Sequence, residues 1–164
     1  NLNVFPGDAR FPRERQTIAT HSVDLTAAGG VVLRRPAGAP PEVVVCSRSA
    51  ASLWALPKGK PNAGEPPEAT ARREVQEETG LEVDVGPLVG EVTYSFHRPS
   101  DGALCNKVVR FFLMSPKGGD LASHDGEFDQ VLWLPAEDAK TLLTYENEAR
   151  ILEKALAMAK DPGA

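Results

Sequence analysis

The chain has 164 residues, 41% hydrophobic and 25% charged, which is enough for one domain with a real core. Its net charge of −5 argues against a broad nucleic-acid surface, since such surfaces neutralise phosphates with Lys and Arg; a small phosphorylated ligand, held by a few local cations, stays compatible. No stretch approaches the length of a membrane span, no leader peptide is recognisable, and the two cysteines, Cys46 and Cys105, make no disulfide framework, so a reducing cytoplasm is the expected compartment.

Residues 1–22 carry Pro6, Gly7, Pro12 and a basic cluster at Arg10, Arg13 and Arg15, and are expected to form an irregular arm. Residues 23–164 read as a single domain, with no internal repeat. Small apolar residues at 27–33 and β-branched ones at 42–48 predict two strands, separated by a loop at Pro36, Gly38, Pro40 and Pro41. A short strand is expected at 53–56. A helix should start near Pro66 or Pro67, where proline suits the first turn, and stop at Gly80, a favoured left-handed cap. Strands follow at 81–85, 88–97, 107–114 and 128–134. Loops fall at 99–103, with Asp101-Gly102 as turn signal, and at 118–127. Pro135 opens a short helical turn. Ile151, Leu152, Ala155, Leu156 and Ala159 recur at helical spacing within 145–159. Strands interleaved with two main helices fit an α/β layered domain.

The chemistry concentrates between Gly59 and Leu81. A helix advances by about 100° per residue, so Glu74, Glu77 and Glu78 share one face. Such a face is either simply solvated or neutralised by a divalent cation. Hard oxygen ligands suit magnesium or manganese, ions that serve phosphate chemistry. Arg73 lies four residues before Glu77 and can pair with it across one turn. Lys58 and Lys60 flank Gly59, where ammonium groups can hold phosphate oxygens. Arg48, ending a strand, reads as a phosphate contact or an edge cation. Tyr94 and Phe96 share one side of their strand and His97 takes the other. Tyr94 and Tyr145 are candidates to stack on a base or to fill the core; His97 is a candidate phosphate or ring contact. No arrangement of His and Asp supports serine nucleophile chemistry.

Gly59, Glu65, Arg73-Glu74-Val75, Glu77-Glu78 and Gly80-Leu81 match the Nudix box at every specified position and spacing. The chain therefore resembles the Nudix hydrolases, which cleave a nucleoside diphosphate linked to another group. The resemblance implies an α/β/α sandwich with a mixed sheet, the box forming a loop–helix–loop unit. It implies Mg2+ or Mn2+ held mainly by Glu74 and Glu78, with Glu77 and the Gly59 carbonyl contributing. Arg73 would orient a glutamate. Glu65 would support the loop or approach the metal, and Lys107 would reach the phosphate chain. The run from Asp125 to Leu134 resembles the segment whose loop glutamate, here Glu127, swings toward the metals, so the general base is Glu77 or Glu127. The run Trp54-Ala55-Leu56-Pro57-Lys58-Gly59-Lys60 looks like the branch that hydrolyses diadenosine polyphosphates. Oxidised (d)NTPs, diphosphoinositol polyphosphates and ADP-ribose stay open as substrates. So does a ligand-sensing domain without turnover, although such domains often lose a box glutamate and all three stand here.

Overall fold

The computed structural model describes residues 22–160. The expected arm, with Arg10, Arg13 and Arg15, lies outside the described residues up to position 21. The chain divides into two compact units. Within the described residues, one holds positions 22–25 and 93–107 and the other 26–92 and 108–160.

The strands are β1 (Ser22–Arg34), β2 (Glu42–Arg48), β3 (Leu53–Ala55), β4 (Lys58–Gly59), β5 (Leu81–His97), β6 (Leu104–Gly119) and β7 (Gln130–Pro135). The helices are α1 (Pro67–Thr79), α2 (Ala136–Leu142) and α3 (Glu146–Lys160). The sheet runs β3-β2-β1-β6-β5, with β4 paired to β1 and β7 to β2. This mixed sheet with helices is the expected α/β sandwich.

In the larger unit, β2 carries the continuous apolar run Val43, Val44, Val45 and Cys46, all buried, as a strand covered on both faces requires. It pairs antiparallel with β7 from Glu42–Pro135 to Ser47–Gln130. Helix α1 begins at Pro67 and ends on Gly80, whose φ of 79° is left-handed and whose N–H donates to the Gln76 carbonyl at 2.8 Å. Its Ala71 and Val75 pack into a cluster with Ala28, Val32, Val44, Cys46 and Met114. Every buried aliphatic carbon there leaves water, at roughly 25 cal/mol per Å². That stripe fixes which way α1 presents its glutamates.

The structure departs from the sequence reading in several strands, the first being β1, which begins at Ser22 rather than at 27. Residues 81–97 form one strand rather than two. Pro87 does not break β5 because β5 is last in the strand order, and an edge strand tolerates a missing N–H. Strand β6 extends beyond 107–114 at both ends and β7 starts at Gln130 rather than 128, so the second loop is shifted toward the C-terminus; it contains a 3-10 turn at Leu121–Ser123. The two-residue β4 was not expected; it pairs Gly59 with Ala28 and Lys58 with Gly29.

The smaller unit contains a turn closed by Arg98 N–H donating to the Ala103 carbonyl at 2.9 Å and Gly102 N–H to the Arg98 carbonyl at 2.7 Å. Arg98 also pairs with Asp101 at 2.7 Å, and this hydrogen-bonded guanidinium, with the Ala103 N–H, holds the Asp101 carboxyl down at about 2. Among the described residues, no helix is long and apolar enough to cross a membrane.

Candidate functional site

Helix α1 grades its three glutamates by angle. Glu78 follows Ala71 and Val75 at i+7 and i+3, so it falls in the apolar stripe and is 4% exposed. The side chain of Glu74, at the stripe's edge, is 16% exposed, and that of Glu77, further round, 49%. The uniformly solvated acidic face is therefore excluded for Glu78. Burial pushes its carboxyl up to about 8; the charges of Glu74 and Glu127 add to this, and a hydrogen bond from the Lys58 N–H opposes it. Burial also raises the Glu74 carboxyl, with Glu77 and Glu127 adding and Arg73 opposing. Glu127 thus belongs to the same electrostatic neighbourhood as the two helix carboxylates.

Strand β4 lies against them. The Lys58 N–H donates to Glu78 Oε1 at 3.2 Å. Gly59 faces Glu74 so closely that a Cβ there would sit 2.0 to 2.5 Å from the carboxylate. Gly29 on β1 permits the approach from the other side, since a Cβ there would meet the Pro57 carbonyl at 2.2 Å, and the next residue, Gly30, donates its N–H to that carbonyl at 3.1 Å. The Lys58 ammonium, expected from the sequence to hold phosphate oxygens, has a protein partner. It donates to Glu148 Oε2 at 3.0 Å, and the Glu148 side chain is 0% exposed. The other oxygen of Glu148 accepts from the Leu56 N–H at 2.9 Å. Glu148 was missed by the sequence reading. Its signal was present: it lies in phase with Leu152 and Ala155, both buried, which marks it as an inward-facing acid.

Arg73 gathers the box. It donates to Glu65 Oε2 and Oε1 at 2.9 and 3.0 Å, to Glu74 at 2.8 Å, and to the Lys60 carbonyl at 2.8 Å. Its expected bond to Glu77 is present but longer, at 3.3 Å. Glu65 supports the loop: it also accepts from the Asn62 N–H at 2.9 Å and the Thr70 hydroxyl at 2.7 Å. These bonds, Arg73 first, hold its carboxyl at about 2 and in turn raise the guanidinium pKa.

The loop bearing Glu127 is fastened to two elements. The Asp125 N–H donates to the Glu77 carbonyl at 2.9 Å and the Asp120 N–H to the Gly80 carbonyl at 3.1 Å, which ties the loop to the end of α1. Arg48, from β2, donates to the Glu127 carbonyl at 3.1 and 3.2 Å and stacks over Phe128 at 4.9 Å. The Ser49 N–H donates to Asp129 Oδ1 at 2.9 Å. Both Arg48 and Glu127 were named from sequence; their pairing was not.

Among the described residues, no three acidic, histidine or cysteine side chains are drawn together as a ready cage for an ion; Glu74 and Glu77 turn onto Arg73 instead. The donor set nonetheless fits a hard divalent cation. It consists of carboxylate oxygens beside a glycine whose missing Cβ leaves room for one of them. Lys60 is exposed. Tyr145 is 44% exposed and precedes α3. Tyr94, His97 and Lys107 belong to the smaller unit.

A family model for the NUDIX domain matches residues 24–155. A Mycobacterium tuberculosis protein named for a mutator role, MutT4, is 37% identical over 153 residues, spanning 90% of this chain and 60% of that protein. The 8-oxo-(d)GTP phosphatase of Mycolicibacterium smegmatis is 32% identical over 152 residues, spanning 88% of this chain and 45% of the relative. The chain thus corresponds to only part of each. Among solved structures, a binary complex of a C. elegans Ap4A hydrolase aligns with a TM-score of 0.63 at 23% identity, over 83% of this chain and 98% of that one. That likeness is one of fold.

Proposed function

The chain belongs to the NUDIX domain family, and we propose from this that it is a pyrophosphohydrolase of nucleoside polyphosphates, dependent on Mg2+ or Mn2+, with residues 23–164 acting as one domain. Nudix hydrolases generally use divalent metal ions and act on small nucleotide substrates. The observation that carries the reading is the seating of Gly59 against Glu74, with Glu78 bonded to the adjoining Lys58 N–H. It brings the backbone at Lys58 and Gly59 and two carboxylates to the same place.

Glu74, Glu78 and the Gly59 carbonyl hold the metal, with Glu77 and Glu127 contributing. When bound, the metal neutralises the phosphates and acidifies a water. Glu127 or Glu77 accepts the proton of the attacking water. Glu127 is supported by its charge acting on Glu74 and Glu78. Arg73 orients Glu74 and Glu77. Lys60 and Arg48 are proposed to steady the phosphates, Lys107 to reach the phosphate chain as the resemblance implies, Tyr94 and Tyr145 to stack on the base, and His97 to contact the phosphates or the ring. Free, buried Cys46 and Cys105 accord with a cytoplasmic setting.

An oxidised guanosine triphosphate is the first candidate substrate, supported by the relative named 8-oxo-(d)GTP phosphatase. The Trp54–Lys60 run supports a diadenosine polyphosphate as the second. The test is a panel with Mg2+ or Mn2+: 8-oxo-dGTP, diadenosine polyphosphates of increasing length, ADP-ribose and a diphosphoinositol polyphosphate, with products identified by mass spectrometry. A preference of about tenfold in kcat/KM, or ~1.4 kcal/mol, assigns the class. In a diadenosine enzyme, efficiency rises with phosphate number and Lys60→Ala harms the longer substrates most. Binding without turnover of any of them would make the chain a sensor.

A further inference from the structure

Glu148 is the most deeply buried charged group in the larger unit, and the reaction proposed above does not use it. Its side chain is 0% exposed, yet both oxygens are engaged on one short segment: Oε1 takes the Leu56 N–H at 2.9 Å and Oε2 takes the Lys58 ammonium at 3.0 Å. A buried carboxylate is retained at a solvation cost that only close, well-aligned partners offset. Those partners lie 92 and 90 residues away in sequence, on the strip that ends at Gly59. The same strip is bonded through the Lys58 N–H to Glu78. The strip is therefore held both by an acid on α3 and by an acid on α1, and Gly59 comes next.

We propose that Glu148 is a positioning residue: by holding Leu56 and Lys58 it sets the Gly59 carbonyl and the Glu78 carboxylate in register for a divalent cation. Lys58 is then a strut between helix and strand. The inference rests on the metal-site reading above. It adds to that reading a residue outside the box, contributed by the last helix.

The test uses Mn2+ as probe. Isothermal titration measures its affinity for the whole chain, and steady-state kinetics on the best substrate separate kcat from KM. Glu148→Gln keeps an acceptor for the Leu56 N–H and drops the charge that holds Lys58. The expected result is Mn2+ affinity and kcat each reduced by at least about tenfold, with KM for the nucleotide changed by less than about threefold. Lys58→Met releases the same strut from the other end and decides the matter if Glu148→Gln does not fold; it should weaken Mn2+ binding to a similar degree. The double variant should lose no more than the worse single one, because both act through one contact. If Glu148→Gln or Lys58→Met lowers the melting temperature while Mn2+ affinity and kcat stay within about threefold of wild type, the pair merely stabilises the fold and the inference is overturned. Fully additive losses overturn it as well. A wild-type chain that binds no Mn2+ overturns the metal-site reading and the inference with it, whereas Mn2+ binding lost in Glu78→Gln but intact in Glu148→Gln overturns the inference alone.

Discussion

Arg48 holds Glu127 by its backbone. Two guanidinium N–H groups reach the Glu127 carbonyl at 3.1 and 3.2 Å, while the approach to its carboxylate is 3.5 Å. The arginine thus fixes where the loop runs and leaves the Glu127 side chain, 55% exposed, able to turn toward α1. Both groups are exposed, so the pair adds only about 0–1 kcal/mol to stability. Its effect belongs to the position of the loop.

Arg48→Ala should therefore lower the melting temperature little and lower kcat by about tenfold or more. A rise in KM alongside would mark the phosphate contact proposed for Arg48, and a rise in KM with kcat unchanged would leave it that contact alone, with no part in placing the loop. Steady-state kinetics with a thermal melt distinguish the two.

Glu78→Gln should abolish turnover and leave the fold intact. The amide nearly preserves volume, and its oxygen still accepts the Lys58 N–H. A loss greater than about a hundredfold, or ~2.7 kcal/mol, is expected from removing a metal ligand. Circular dichroism checks the fold, and activity within about threefold of wild type would refute the assignment.

Two glycine substitutions should part company. In Gly59→Ala the new methyl meets the Glu74 carboxylate at 2.0 to 2.5 Å, the far end of a flexible side chain that can swing aside. The expected cost in stability is under about 1 kcal/mol, with turnover down by about tenfold or more because a ligand has moved. In Gly29→Ala the methyl meets the Pro57 carbonyl at 2.2 Å, which is backbone, so the strand must shift. A loss of roughly 1–3 kcal/mol is expected from such overpacking. Denaturant titration of both variants checks the contrast.

The Glu65–Arg73 pair predicts a pH dependence with a definite sign. The folded carboxyl sits at about 2, against an ordinary value of 4.5. A depressed acid stabilises the fold above its unfolded pKa, and that contribution fades as pH falls through the folded value. The difference in melting temperature between wild type and Glu65→Gln should be constant above about pH 5 and close between about 4.5 and 2. A difference that stays constant across that window would show that the carboxylate charge is not what Arg73 holds.

Local chemistry made much of this protein readable from its residues. Pro67 and Gly80 bracket α1 whatever packs against it, since one lacks an N–H that the first turn does not need and the other adopts a left-handed φ at little cost. Strand β2 ran over 42–48 as expected because its apolar run suits a covered strand. The spacing of Glu74, Glu77 and Glu78 follows from helical geometry alone. What needed the folded chain was every relationship between distant segments. Helical spacing put Glu78 on one face with Glu74 and Glu77, but only the packing of Ala71 and Val75 showed that it turns inward. Lys58 was readable as a phosphate cation, but its bond to Glu148 on α3 was not. Arg48 and Glu127 are 79 residues apart and meet only because β7 pairs with β2. Periodicity reports which face a residue shares with its neighbours, but the partner waiting on that face is decided by tertiary packing.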